Sequence, residues 1–230
     1  MLVDSNGMFI SQRNTPKLSQ IAIRVNHDQL EVAVPGHESL IIPVDQNSGK
    51  KVLAQVWNDV VPGLHVGSAV DEWFTNYLGI ETRLVHMDAD VVRPLVKTQL
   101  PQDKAFEVSF ADGYPYLLTN QASLDDLNNR LQTPIPMDRF RSNLVVSGPQ
   151  AFAEDNWKKI RIGDAEFQVL KPCARCQITT IDQSNGVSSK EPLKTLASYR
   201  KSGGKVMFGM NLVATNQATI SVNDPLTILE

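Results

Sequence analysis

The chain has little of what most catalytic constellations require. Its 230 residues include 2 cysteines and 4 histidines. Two cysteines cannot build a disulfide framework, so the expected setting is reducing and cytoplasmic. His27, His37, His65 and His86 all fall in the first half, without metal-ligand spacing, and read as surface or core residues. There is no H-E-x-x-H, no G-x-S-x-G and no glycine-rich phosphate loop, which removes the main supports of hydrolase and nucleotide-binding readings. No apolar run approaches the ~20 residues that cross a bilayer. The N-terminal stretch also lacks the charged-then-apolar order of a signal peptide, so no membrane partner is expected. The 22 basic residues are outnumbered by 25 acidic ones, a net charge of -3 that gives no reason to expect nucleic acid.

What is present is ordinary for a soluble globular protein: 42% apolar and 20% charged residues, in a chain long enough for one large all-β domain or two small ones. The first half reads as β. "MLVD" and "MFIS" flank Ser5-Asn6-Gly7, a hairpin turn signal, and "QIAIRV", "EVAVP", "SLIIPV" and "VLAQVW" follow as short runs between turn residues. "SAVDEWFTNYLG" predicts a helix with Val70, Trp73, Phe74, Tyr77 and Leu78 on one face, capped by Ser68 and Asp71 and stopped by Gly79. Beyond it, "TRLVHM", "EVSFADGYPYLLTN", "FRSNLVVSG", "KKIRIGDAEFQVLKP" and "CQITTID" read as β, and "VVRPLVKTQLPQDKAF" as an irregular connection. "SLDDLNNRLQ" and "EPLKTLASYR" read as short helices, the first placing Asp125 and Asp126 in its opening turn. The closing stretch from "FGMNLV" to "NDPLTILE" holds two or three strands. The expected fold class is mainly β with a few short helices, a barrel or a sandwich, with a second block starting near residue 80–90.

Chemistry concentrates in "KPCARCQITT", which holds both thiols. A structural zinc would need a second ligand pair that the chain lacks, and a thioredoxin-like motif would open a helix where "CQITTID" reads as a strand. A metal, a redox role and incidental burial all remain open for Cys173 and Cys176. Arg175 would favour an anionic sulfur or grip a phosphate. Arg141 and Asn143 form a second polar pair on an apolar stretch, and Arg141 with Arg175 would make an anion clamp if their strands were neighbours.

The segment "DRFRSNLVVSGPQAFAEDNWKKIRIGDAEFQVLKPCARCQITTID" resembles the MOSC domain, the molybdenum cofactor sulfurase C-terminal domain. It is most similar to the branch of the mitochondrial amidoxime-reducing component and bacterial hydroxylaminopurine-detoxifying proteins. F-R-x-N, A-E-D-x-W, I-G-D, K-P-C-x-R-C-x-x-T-T-x-D and the late F-G-x-N carry the likeness, which implies a division into a MOSC-associated β domain at 1–88 and a MOSC domain at 89–230. The resemblance implies a β-barrel-like fold holding a molybdenum–pterin cofactor (Mo-molybdopterin), with Cys176 as the metal ligand and catalytic residue. It places Arg141, Asn143, Ala174, Arg175, Asp112, Gly113, Tyr114 and Asn211 at the cofactor and leaves Cys173 without a role. It also implies reduction of N-hydroxylated substrates such as hydroxylaminopurines, with electrons from a separate reductase, ferredoxin or flavoprotein. A non-catalytic cofactor carrier or sulfur-transfer module is the alternative, and pyridoxal phosphate binding is a further family-level association. Relatives carry P-V-K-S-like and D-R-x-W-like segments ahead of the position of Met1, so an exposed barrel edge and a weakened cofactor site are expected. Some bacterial relatives add a ferredoxin-like domain whose cysteine cluster is absent here.

Overall fold

The computed structural model describes residues 1–44, 49–96, 100 and 104–230. They form two compact units: Met1–Arg93 with Ile181–Ser188, and Pro94–Thr180 with Ser189–Glu230. The fold is mainly β. The sheet of the second unit is nearly closed and barrel-like, and that of the first curls into a half-barrel.

In the first unit the strands are β1 (Leu2–Val3), β2 (Ala22–Asn26), β3 (Gln29–Ala33), β4 (Leu40–Pro43), β5 (Lys51–Val56), β6 (Asp59–His65) and β7 (Arg83–Met87). They make a sheet of order β1-β7-β6-β5 and a second of order β2-β3-β4. The Ser5-Asn6-Gly7 turn closes with Gly7 N–H donating to the Asp4 carbonyl. The helix α1 (Ser68–Leu78) stops at Gly79, which takes the left-handed conformation glycine adopts without a Cβ clash. It buries Phe74, Tyr77 and Leu78, with Phe74 against Val32 and Ile42. Its start differs from expectation. Gly67 holds the N-cap without a side-chain bond, because Asp71 is drawn to the His65 ring and the Leu84 N–H. Strand β6 escaped the sequence reading because Pro62 and Gly63 interrupt its pattern; the β5 pairing tolerates both.

In the second unit the strands are β8 (Tyr116–Asn120), β9 (Leu144–Val146), β10 (Lys159–Ile162), β11 (Ala165–Ala174), β12 (Lys201–Ser202), β13 (Lys205–Ala214) and β14 (Leu226–Ile228). The sheet order is β14-β10-β11-β13-β8-β9, with β12 paired to β13. One face buries Leu118, Ile160, Phe167 and Leu212 together. The connection through residues 91–106 lies partly outside the described residues, and of "EVSFADGYPYLLTN" only the last five residues are a strand.

The helices α2 (Gln121–Asn128) and α3 (Leu193–Tyr199) close a second core of Leu124, Leu127, Phe140, Leu196 and Phe208. α2 begins before the expected start because the Asn120 side chain accepts the Ala122 N–H and caps it. Asp125 and Asp126 therefore lie past the first turn, and Asp126 pairs with Arg130 one turn later. Arg130 holds the Asp126 carboxyl below the usual range. Burial, reinforced by the Asp126 charge, pushes Tyr199 up to about 12. The A-E-D-x-W stretch anchors these helices. Glu154 is fully buried and accepts from Ser123 Oγ at 2.7 Å and Asn120 Nδ2 at 3.1 Å. Asp155 accepts twice from Arg200 Nη2.

Candidate functional site

The site is built on an irregularity between β11 and β13. Their antiparallel register shifts between Val169 and Lys171 and shifts back between Pro172 and Ala174. The first shift places an extra residue on β11, the second an extra residue on β13 in the stretch containing Gly209. Gly209 has φ +77°, and a Cβ there would lie 2.6 Å from the Leu118 carbonyl oxygen and 2.8 Å from Thr119 Cγ2. Only glycine fits such a bulge. Two residues on, Asn211 Nδ2 donates to the Lys171 and Pro172 carbonyls, each at 3.4 Å, where the shifted ladder leaves acceptors to be matched. The F-G-x-N motif is thus a bulge and its clamp.

Asn211 lies directly opposite Lys171 on β11 and Leu117 on β8. Leu117 exchanges two hydrogen bonds with Asn143: its N–H donates to Asn143 Oδ1 at 2.8 Å, and the Asn143 N–H donates to its carbonyl at 3.0 Å. Asn143, Leu117, Asn211 and Lys171 therefore form one level across the sheet. Lys171 Nζ sits 5.1 Å from the centre of the Tyr114 ring, so of the 112–114 segment Tyr114 reaches this row through its side chain.

The thiol loop departs from expectation. β11 ends at Ala174, and Gln177–Thr180 is a 3-10 turn, not a strand. Thr179 Oγ1 donates to the Cys176 carbonyl at 3.0 Å and Thr180 Oγ1 to the Gln177 carbonyl at 2.6 Å. These local bonds win over the β preference of the threonines. Cys173 and Cys176 are free thiols, both half-buried.

The two arginines divide their roles. Arg175 turns inward: Nη2 donates to the Phe140 carbonyl at 2.6 Å and Nη1 to Cys173 Sγ at 3.1 Å. Its guanidinium also lies 5.5 Å from the Phe140 ring, which stacks on Phe208 at 3.9 Å. Arg141 caps the Met137–Phe140 turn in the left-handed conformation, φ +54°. It is exposed, and its guanidinium has no partner among the described residues. The condition for a clamp of neighbouring strands is not met, since β8 and β13 separate β9 from β11. Instead the Arg175 side chain bridges the thiol loop to the residue preceding Arg141.

This arrangement offers two half-buried thiols, of which Cys173 is held by Arg175, two exposed cations, Arg141 and Lys171, and a level row of amides. Among the described residues no group of three or more His, Cys, Asp or Glu could hold a bare metal ion. A metal at Cys176 would have to arrive with other ligands of its own, which is what a pterin-bound metal does. The donor set present fits such a group.

The MOSC domain family model matches residues 105–227, and that of the MOSC N-terminal beta barrel domain matches residues 1–81. The chain belongs to the MOSC domain family. Mitochondrial amidoxime reducing component 2 of Rattus norvegicus is 35% identical over 240 residues, 98% of this chain and 71% of that protein. Mitochondrial amidoxime-reducing component 1 of Homo sapiens is 33% identical over 245 residues, covering 100% of this chain and 72% of that protein. The Danio rerio component 1 is 36% identical over 211 residues, 89% of this chain and 64% of that one. The matched MOSC region includes residues 181–188, which pack within the first unit rather than the second.

Proposed function

We propose that this MOSC protein is a molybdenum-cofactor-dependent reductase of N-hydroxylated compounds such as hydroxylaminopurines, supplied with electrons by a separate reductase, ferredoxin or flavoprotein. The observation that carries the reading is the free, half-buried Cys176 thiol in a chain related over nearly its whole length to amidoxime-reducing components. Cys176 would hold the metal through its sulfur. Arg141 would take the anionic phosphate tail, as an exposed guanidinium without an internal partner is suited to do. Asn143 and Asn211 would keep the floor of the site level, and Ala174 and the Asp112–Tyr114 segment would line it. When bound, the cofactor supplies the two-electron chemistry that cleaves the N–O bond to the amine. The chain orients the group and fixes the thiol: Arg175 ties the loop to Phe140, and the 3-10 turn holds the Cys176 carbonyl.

Full-length protein from a host that makes the cofactor should contain stoichiometric molybdenum and reduce hydroxylaminopurine with a chemical electron donor. Cys176→Ala should lose both. A variant that kept the activity would remove Cys176 as the ligand. Molybdenum binding and transfer to an apoenzyme, with no N–O reduction under any donor, would establish the carrier reading instead.

A further inference from the structure

Residues 181–188 follow the thiol loop directly in sequence. They form a tight hairpin: Ile181 bridges Ser188, the Asp182 N–H donates to the Val187 carbonyl at 2.8 Å, and the Gly186 N–H donates to the Asp182 carbonyl at 2.7 Å. The Ser184 N–H and hydroxyl both donate to Asp182 Oδ1, stiffening the tip. At the hairpin's base the Ser189 N–H donates to the Thr180 carbonyl at 3.1 Å, so the ladder runs into the last residue of the 3-10 turn that begins after Cys176.

The hairpin belongs to the first unit and is held there by a reciprocal amide pair. Gln12 Nε2 donates to Gln183 Oε1 at 3.1 Å, and Gln183 Nε2 donates back to Gln12 Oε1 at 3.4 Å and to the Ile181 carbonyl at 3.0 Å. Gln12 is only 6% exposed, so its amide depends on Gln183 for a partner. Gly186, with φ +75°, packs where a Cβ would lie 3.5 Å from the Pro16 carbonyl oxygen.

We propose that Gln12 is a positioning residue for Cys176, acting through Gln183 and the 181–188 hairpin. One peptide bond joins the anchored hairpin to the turn whose first acceptor is the Cys176 carbonyl. Anchoring the hairpin limits opening of that turn, whose Thr179 hydroxyl and N–H both donate to the Cys176 carbonyl. The consequence for the cofactor rests on Cys176 being its ligand; the positioning itself does not.

The test uses the full chain and no cofactor. Hydrogen exchange at the Thr179 and Thr180 amides and iodoacetamide labelling of each thiol are followed by mass spectrometry. Gln12→Ala should speed exchange in the turn and labelling of Cys176 by roughly fivefold, the loss of about one hydrogen bond. Cys173, on β11, serves as the reference and should label at the wild-type rate. Gln183→Ala, at a half-buried loop position, should do the same, and it stands in if Gln12→Ala does not fold. The double variant should be no faster than Gln183→Ala, which already lacks the link to Gln12 that Gln12→Ala removes. Faster exchange across 181–188 with unchanged Cys176 would overturn the proposal. So would equal acceleration at Cys173, which would mean general destabilisation. A failure of molybdenum binding with these rates as expected would count against the cofactor reading alone.

Discussion

Gly209→Ala separates backbone strain from steric conflict at the heart of the site. At φ +77° an alanine costs about 1–2 kcal/mol for the left-handed conformation alone. Its Cβ would also lie 2.6 Å from the Leu118 carbonyl oxygen and 2.8 Å from Thr119 Cγ2, in a strand that cannot retreat because both its neighbours are paired. Relieving such overpacking costs a further ~1–3 kcal/mol. The expected loss is about 2–5 kcal/mol in all. Gly203 is the natural control, with φ +56° and nothing within 4 Å of its Cβ, so Gly203→Ala should cost only ~1–2 kcal/mol. Two units need not unfold together, so the reporter must be local. Trp157 is buried in the second unit and serves in a chain with Trp57 and Trp73 replaced by Phe, unfolded in urea. Equal losses for the two alanines, within about 0.5 kcal/mol, would refute the claim that Gly209 is there for want of space.

Ser123→Ala removes the hydroxyl that donates to buried Glu154 and accepts the Phe152 N–H, and should cost ~1–3 kcal/mol in the same urea assay. The Arg130 guanidinium depresses the Asp126 pKa in the folded state, so its contribution is complete above the usual carboxylate range. That contribution is lost as pH falls through the depressed value. The thermal midpoint of wild type should therefore exceed that of Asp126→Asn at neutral pH, with the gap closing in acid; a gap constant with pH would remove the ion pair as its cause.

Several strands were plain in the sequence because one rule governs them. "QIAIRV" and "VLAQVW" lie between turn residues and fold as β2 and β5; β5 buries Ala54 and Val56, two residues apart, while every residue of β2 is exposed. "IGDAEF" turns at Gly163, as its composition requires. Where side-chain bonds compete with propensity, pattern misleads: Thr179 and Thr180 favour strands in general but here bond their own turn. Asp71 looks like a cap and is recruited by His65 and Leu84 instead. Cys176 stood out through its motif. The inward commitment of Arg175 could not be read, since its acceptor Phe140 is 35 residues away and reaches it only in the fold. The Gln12–Gln183 pair spans 171 residues between two unremarkable glutamines, and no local signal exists for it.

The central claim, that Cys176 holds a molybdenum cofactor, is tested most directly by elemental analysis of the full chain beside Cys176→Ala, both purified from a host that makes the cofactor. Stoichiometric molybdenum in the first and its loss in the second, with the urea midpoint unchanged, is the result this account predicts. Equal molybdenum in the two proteins, or none in either, would contradict it.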